Sequence, residues 1–383
     1  MRSRMLITAL AALLFVSGCT IEPQLRLRQV ATTKVVMQTK ISTDIMWQVN
    51  WQAQWNFAWK TDVYGPIGYS EPKGIRMHIY TLDDAGLPKS HNVYNFSGTE
   101  GQADVFVGIH DLLFHNNDSE VLLFRSEDEL SDIYSYTRII SKGLRSSIPV
   151  QTTEQKIATK ADEDPEDTDL TEEIDEPVAF APDELFVLYE PKYRITDDLS
   201  DYEYIDGKYV LRIQGELVPH SFIYLFQIRL LNNLDRVAGS SGAALTGMAE
   251  SVNLRTGVTS ATPVCVPMDV FINATADPDL MGARVLCFGI PGCDPYDAAS
   301  VAATESKHWL VLNVLFKTGK YKNIRIDITD QVRALPTGGV IPLEIDVEDF
   351  PEEDTDPPID EGDGFKPLIG GWNEETGSTT IIS

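Results

Sequence analysis

The chain has 383 residues, of which 43% are hydrophobic, 9% aromatic and 23% charged. This composition is typical of a globular protein, and at roughly 100–200 residues per domain it predicts two domains. Acidic residues outnumber basic residues by 58 to 31, which gives a net charge of −27. Such a surface repels phosphate backbones, so nucleic acid is excluded as a partner.

The N-terminus predicts a lipoprotein signal peptide over residues 1–18. A basic start precedes the apolar run Met5–Val16, which is too short to span a bilayer as a mature helix. The residues Val16–Cys19 resemble the lipobox of bacterial lipoproteins. We therefore expect cleavage between Gly18 and Cys19, and acylation of Cys19 with palmitate-type chains. The alternative is an ordinary signal peptide followed by an incidental cysteine.

Lipidated Cys19 would tether the protein to a membrane. Each buried CH₂ group contributes about 0.8 kcal/mol, so several acyl chains anchor a protein durably. We expect a lipid anchor in the outer membrane with the body of the protein at the cell surface; which face of that membrane it occupies stays open.

Two acidic segments divide the chain. Ala161–Glu176 contains ten acidic residues, Glu344–Asp363 contains eleven, and neither contains a basic residue. Such runs are typical of solvated linkers. Calcium binding is the alternative, but the ligand spacing of an EF-hand loop is missing. After the signal peptide we predict an N-terminal β-sandwich over residues 19–157, an acidic linker over 158–182, a C-terminal β-sandwich over 183–348, and an acidic tail with a terminal strand over 349–383.

Both domains are predicted to consist of strands. In Ile45–Trp59 every odd position is apolar, which is the period of a half-buried strand. The same period or a short apolar run predicts further strands at Ile75–Leu82, Val105–Val107, Leu112–Phe114, Val121–Phe124, Tyr209–Val218, Phe222–Leu230, His308–Phe316 and Tyr321–Ile328. Helical periodicity is confined to Ala243–Glu250 and Asp297–Glu305. The fold class is therefore all-β, with two tandem β-sandwiches.

The odd face of Ile45–Trp59 carries four tryptophans, Trp47, Trp51, Trp55 and Trp59. An alternating strand usually buries one face, so this row is expected to supply the core of the first domain. Exposed indoles that stack on sugar rings are the alternative, with glycans as the partner.

Catalytic motifs are weak. The six histidines are scattered and show no metal-ligand spacing. Ser70–Lys73 matches SxxK and Lys317–Gly319 matches KTG, but Pro72 and the expected hairpin turn at Lys317–Lys320 argue against a serine enzyme. We expect no enzyme activity, no cofactor and no metal site. The three later cysteines, Cys265, Cys287 and Cys293, are expected to be buried, with or without one disulfide.

Several segments together resemble a known family. They include the lipobox, the tryptophan strand and six further stretches, Gly74–Tyr80, Leu112–Glu120, Ala244–Ala249, Ile326–Val332, Gly364–Pro367 and Trp372. The sequence resembles a domain-of-unknown-function family of Bacteroidetes-type lipoproteins, which is similar in turn to the fimbrillin superfamily and its fimbrial anchor proteins. The resemblance covers most of the chain after the signal peptide.

The resemblance implies two transthyretin-like Greek-key sandwiches and a non-catalytic role in fimbria-like assembly, anchoring or adhesion. Fimbrillin-type subunits join by β-strand addition, so fimbrial subunits are the implied partners. The segment Thr379, Thr380, Ile381 and Ile382 is a candidate donor strand. The alternative is that this segment is a last strand that folds back onto its own domain. Folding back is favoured because exposed apolar edges are a liability. A glycan-binding surface lipoprotein is the alternative function.

Overall fold

The fold is described from a computed structural model, which defines residues 30–39, 59, 61–140, 176–273 and 277–349. The first ten strands, in chain order, are β1 (Val30–Thr39), β2 (Gly74–Leu82), β3 (Pro88–Ser97), β4 (Glu100–Phe106), β5 (Gly108–Asn116), β6 (Leu123–Arg125), β7 (Tyr134–Tyr136), β8 (Phe186–Ile195), β9 (Glu203–Ile205) and β10 (Lys208–Pro219). The other nine are β11 (Phe222–Leu231), β12 (Val237–Ala249), β13 (Ser251–Asn253), β14 (Pro263–Met268), β15 (Val270–Asn273), β16 (Asp277–Cys287), β17 (Trp309–Phe316), β18 (Tyr321–Asp327) and β19 (Gly339–Asp346).

Helices are short in the described part of the chain. The α-helices are α1 (Thr61–Tyr64), α2 (Ala298–Ala302) and α3 (Thr329–Ala334). Single 3₁₀ turns occupy Leu130–Asp132, Leu199–Asp201 and Val347–Asp349. No described helix is both long and apolar enough to cross a membrane. The protein is all-β, with several sheets that pack as in a β-sandwich.

The first unit is an eight-stranded sheet that bends back on itself. Its order is β3-β2-β5-β8-β10-β1-β4, with β9 beside β10. β8 and β10 pair only at Val218 with Val187 and Pro219 with Phe186, so the sheet turns at this corner. Side chains from the two halves of the sheet meet in one core, to which β2 contributes Met77. The alternation of apolar and polar residues along these strands produces that buried face.

β1 is a strand that the sequence analysis did not identify. It runs parallel to β10 and antiparallel to β4. Val35 and Met37 are buried in the first core, whereas Val36 between them is only half-buried. β1 therefore joins β10 to β4 in the second half of the sheet.

The second unit consists of two four-stranded sheets around a separate core. Their orders are β15-β16-β11-β19 and β14-β12-β17-β18. The core contains fully buried aromatic side chains such as Tyr224 and Phe226, together with Leu310 and Leu312 of β17. The sheets enclose this core from two sides.

The division of the sheets corrects the predicted domain boundary at residue 183. β8 and β10 follow that boundary in sequence but pair with β5 and β1 of the first unit. The second unit begins after Pro219, which is the last residue of β10. The prediction was wrong because a charged segment does not determine whether the strands that follow it pair with strands before it or after it.

The described ends of both acidic segments belong to the fold: residues 176–182 lie within the predicted linker, whereas Glu344 lies within the predicted C-terminal domain. The carboxylate of Glu176 accepts a hydrogen bond from the backbone of Gly247 at 2.8 Å, and Val178 is buried beside Cys265. Glu344 lies inside β19, where it alternates with buried Leu343 and Ile345. These acids share a strand or loop with apolar residues, and burial of the apolar residues holds them in place. Residues 161–175 and 350–363 lie outside the described residues.

Several predicted elements are confirmed. β2, β10, β11, β17 and β18 match predicted strands within about two residues at each end. Two more predictions fall at the end of β4 and inside β5, and Val121–Phe124 only overlaps β6. Lys317–Lys320 forms the predicted turn between β17 and β18, and α2 lies inside Asp297–Glu305, with Asp297 capping it.

The helix predicted at Ala243–Glu250 is wrong, because these residues belong to β12. This strand pairs with β14 on one side and β17 on the other. Its small residues fit the centre of a sheet, and Gly247 has φ +73°, with Lys307 so close that a side chain there would clash. Pairing with two neighbouring strands outweighed the local helical preference.

Candidate functional site

β3 is an exposed edge strand. Among the strands that the structure describes it pairs only with β2, and of its ten residues only Phe96 is buried. Proteins usually protect such edges with prolines, lysines or very short strands. β3 has one lysine, Lys89, and its single proline, Pro88, is its first residue. Most of its length therefore has little protection against the addition of another strand.

The two faces of the β2–β5 pair differ. Ile75, Met77 and Ile79 of β2 point into the first core. The alternate residues His78 and Tyr80 point to the opposite face, which is also buried. A segment formed by residues 117–137 covers this second face, with Leu122, Leu130 and Ile133 in the shared apolar cluster. We call it the cover segment.

Three histidines meet under the cover segment. β2 carries His78, β3 carries His91 and β5 carries His115. In the strand registers Tyr80 pairs with His91 and Arg76 with His115, so each outer histidine is a diagonal neighbour of His78. The distance from His78 Nδ1 to His91 Nε2 is 3.0 Å, and that from His78 Nε2 to His115 Nε2 is also 3.0 Å.

The ends of this histidine row have acceptors. His115 Nδ1 donates to the backbone carbonyl of Asn116 at 2.7 Å, and His91 Nδ1 donates to the carboxylate of Asp128 at 3.1 Å. The neighbouring Glu127 of the cover segment accepts from Arg76 at 2.7 Å. The row thus joins three strands to the cover segment.

Aromatic rings enclose the row. Tyr80 stacks on His91 with 4.4 Å between ring centroids, and Phe124 lies 4.3 Å from His115. Burial, together with the nearby imidazoles, lowers the pKa of His78 to about 2. Burial lowers the pKa of His115 to about 4. Both rings are therefore neutral at physiological pH.

A polar cleft of about 230 Å³ lies between the two units. Arg284 of β16 donates to the Glu184 carboxylate at 3.1 Å, and the backbone of Ser70 donates to the same carboxylate at 2.7 Å. Burial raises the pKa of Glu184, and these two donors act against that rise. Asn116 bonds the backbone of Glu184 and Phe186 through its side chain. The cleft therefore connects the two units through polar contacts.

The sequence profile of the family Domain of unknown function (DUF5119) matches residues 52–269, which is more than half of the chain. This chain belongs to that family. No curated protein matches the chain.

Three solved structures are similar to this DUF5119 protein. A candidate adhesin from Bacteroides ovatus has 16% identity over 83% of this chain and 93% of its own, with a TM-score of 0.47. The fimbrial anchor protein Mfa2 from Porphyromonas gingivalis has 12% identity over 82% and 91%, with a TM-score of 0.39. A candidate polysaccharide-binding protein from Bacteroides thetaiotaomicron has 6% identity over 82% and 90%, with a TM-score of 0.41.

Of the predicted site residues in this DUF5119 protein, only Trp59 is described. It is 6% exposed and belongs to the first core, and its Nε1 donates to the carbonyl of Gly65 at 2.8 Å. Trp59 therefore offers no face to a sugar ring. The other predicted residues lie outside the described part: Gly18, Cys19, Trp47, Trp51, Trp55, Thr379, Thr380, Ile381 and Ile382.

The predictions for the cysteines and for the histidines have different outcomes. Cys265, Cys287 and Cys293 are all buried, as expected, and no disulfide joins them in the described part of the chain. The six histidines are scattered in sequence, whereas the fold brings His78, His91 and His115 together. The sequence signal for this cluster is the i, i+2 pair of His78 and Tyr80, which lie on one strand face. The registers of β3 and β5 are needed to place the other two histidines beside it.

Proposed function

We propose that this DUF5119 protein is a lipid-anchored, non-catalytic protein of the bacterial cell surface that takes part in fimbria-like assembly or adhesion. Three features support the proposal: the lipobox ending at Cys19, the sequence resemblance to fimbrillin-type lipoproteins, and the exposed edge strand β3. The edge strand carries the argument. The two units are proposed to be transthyretin-like Greek-key sandwiches.

β-strand addition to β3 is the proposed mode of contact. In this mode main-chain hydrogen bonds supply affinity, and alternate side chains supply specificity. Val93 of β3 is 41% exposed and offers an apolar contact to an added strand. The added strand comes from a fimbrial subunit, and Thr379–Ile382 of a second copy is the donor candidate within this chain. If that segment folds back onto its own domain, a strand of another subunit is required.

The anchor is tested by fractionating cells that carry Cys19→Ala beside wild type. Loss of the lipidated cysteine should move the protein, and any filament subunits bound to it, from the membrane to the medium. Retention of the variant in the membrane contradicts the lipid anchor. Release of the protein alone, with surface filaments unchanged, contradicts the fimbrial role.

The edge is tested by Asn92→Lys. Asn92 pairs with Ile79, so its side chain lies on the core face of the strand, and it is exposed. An inward-pointing lysine on an edge strand blocks the addition of another strand. We expect the variant to stay in the membrane and to lose the co-purifying subunits.

Thr318→Lys is the matched control, because it adds the same charge in the exposed turn between β17 and β18. It should retain the subunits. Equal loss in both variants assigns the effect to charge, and retention in both contradicts strand addition to β3.

A further inference from the structure

The histidine row makes more contacts than three neutral imidazoles have N–H groups. Its four contacts run from the Asn116 carbonyl to His115, from His115 to His78, from His78 to His91, and from His91 to the Asp128 carboxylate. Each contact needs one proton between its two atoms. Three neutral imidazoles would carry one N–H each, so one contact would have none.

The outer acceptors identify the contact that lacks a proton. A carbonyl and a carboxylate only accept, so His115 and His91 use their Nδ1–H groups there and present bare Nε2 atoms to His78. If His78 donates to His91, its own Nε2 faces the Nε2 of His115 at 3.0 Å, lone pair against lone pair. This arrangement is costly in a buried site, because water cannot separate the two atoms.

Either a fourth proton or a metal cation relieves this repulsion. A fourth proton would make the row cationic, with the Asp128 carboxylate, 3.1 Å from His91 Nδ1, as its counter-charge. A cation bound directly to the two lone pairs needs no protonated imidazole.

We propose that His78, His115 and Glu127 bind a divalent transition-metal ion of the zinc type. Ligand atoms from these three residues lie within 4.8 Å of one another. Metal–nitrogen bonds of about 2.0–2.1 Å, at about 90–109° to each other, place two imidazole nitrogens about 2.9–3.4 Å apart. The observed 3.0 Å lies in that range. The two rings meet nearly end to end, at 5.2 Å between centroids, so an ion would lie beside the nitrogen–nitrogen line and both rings would have to rotate to point their lone pairs at it.

The surrounding contacts are those of an outer ligand sphere. Ligating histidines usually donate their second N–H to a carboxylate or a backbone carbonyl, which sets the tautomer. His115 donates to Asn116, and His78 donates to His91, which donates to Asp128. With a metal on the two Nε2 atoms, every remaining ring N–H has an acceptor.

Glu127 brings the cover segment into the site. Its carboxylate now pairs with Arg76, which also donates to Asn95 at 2.9 Å and so keeps a partner when Glu127 turns to the metal. A bound ion would connect β2 and β5 to the cover segment, next to the edge strand β3. Imidazole and carboxylate together suit zinc and its neighbours in the first transition row.

The test uses the purified mature chain after treatment with a chelator. Zinc chloride is titrated by isothermal calorimetry, and bound metal is counted by mass spectrometry. We expect one equivalent of zinc and a higher Tm in its presence, because a ligand that binds only the folded state stabilises it.

Glu127→Gln should weaken zinc binding tenfold or more. Glu129→Gln is the matched control, since Glu129 is exposed and lies two residues away; it should bind as wild type. His115→Gln should abolish binding, and circular dichroism shows whether it is folded. If it does not fold, the Glu127 and Glu129 pair decides the question alone.

Two results would overturn the proposal. One is the absence of stoichiometric zinc binding by a folded wild-type protein. The other is zinc binding that Glu127→Gln and His115→Gln leave unchanged.

Discussion

Arg284→Met tests how much the polar cleft contributes to holding the two units together. The substitution keeps an apolar side chain of similar length on β16 and removes the hydrogen bond from Arg284 to Glu184, which spans 3.1 Å. It also removes a longer contact of 3.4 Å to the carbonyl of Gly68. The carboxylate of Glu184 then keeps only the backbone donor of Ser70.

The expected loss follows from burial. The Arg284 and Glu184 side chains are 15% and 20% exposed, so water replaces the lost partner only in part. A hydrogen bond between charged groups contributes about 1.5–3 kcal/mol, and leaving a buried charge without its partner costs about 3–5 kcal/mol. For this partly exposed pair we expect the free energy of unfolding to fall by about 2–3 kcal/mol.

The loss should depend on pH. Burial already raises the pKa of Glu184, and Arg284 acts against that rise, so the substitution raises the pKa further. An acid whose pKa is higher in the folded state than in the unfolded state destabilises the protein at a pH above its folded pKa. It has no such effect at a pH below its unfolded pKa. The difference between wild type and variant should therefore shrink as the pH falls from about 7 towards about 4.

The assay is urea unfolding of wild type, Arg284→Met, Glu184→Gln and the double variant at both pH values. Glu184→Gln should restore part of the stability lost in Arg284→Met, because it removes the unpaired charge. A loss under about 0.5 kcal/mol, or a double variant no more stable than Arg284→Met, refutes the reasoning.

Three further predictions concern the core and the thiols. Trp59→Ala should lower the free energy of unfolding by about 3–5 kcal/mol, as for other buried aromatic side chains. Any glycan retention by the folded fraction should stay unchanged. A well-folded variant that loses glycan retention contradicts the assignment of Trp59 to the core. Gly247→Ala should destabilise the protein or prevent its folding, since Gly247 has φ +73° and an added Cβ would clash with the Lys307 carbonyl. Thermal unfolding measures the loss of stability, and a Tm equal to that of wild type would contradict the expectation. The thiols of Cys265, Cys287 and Cys293 should react with an aromatic disulfide reagent only in denaturant, because burial raises the pKa of the latter two, that of Cys293 to about 11; rapid labelling of the native protein contradicts this.

Local pattern was enough to find many of the strands. β2, β11, β17 and β18 alternate or run as apolar stretches that a strand alone explains. β12 was mistaken for a helix because the alanines, the leucine and the methionine of Ala243–Glu250 favour a helix locally. Its two neighbouring strands, β14 and β17, decided the outcome, and neither is near it in local sequence.

The histidine row shows the same limit at the level of the site. His78, His91 and His115 lie on three different strands, and no spacing rule in the sequence relates them. A shift of one residue in either register would turn His91 or His115 to the opposite face of the sheet. The glutamate that completes the group comes from the cover segment, whose position depends on packing against both units.

The sequence by itself determined the strand-rich composition, the acidic surface, the predicted lipid anchor at Cys19 and the positions of turns, because these depend on residues close together in the chain. Only the tertiary structure decided that β8 and β10 join the first sheet, that β3 is left at its edge, and that three histidines meet beneath the cover segment. The physical reason is that strand order and register arise from hydrogen bonds and packing between distant segments, and local alternation is compatible with many such pairings.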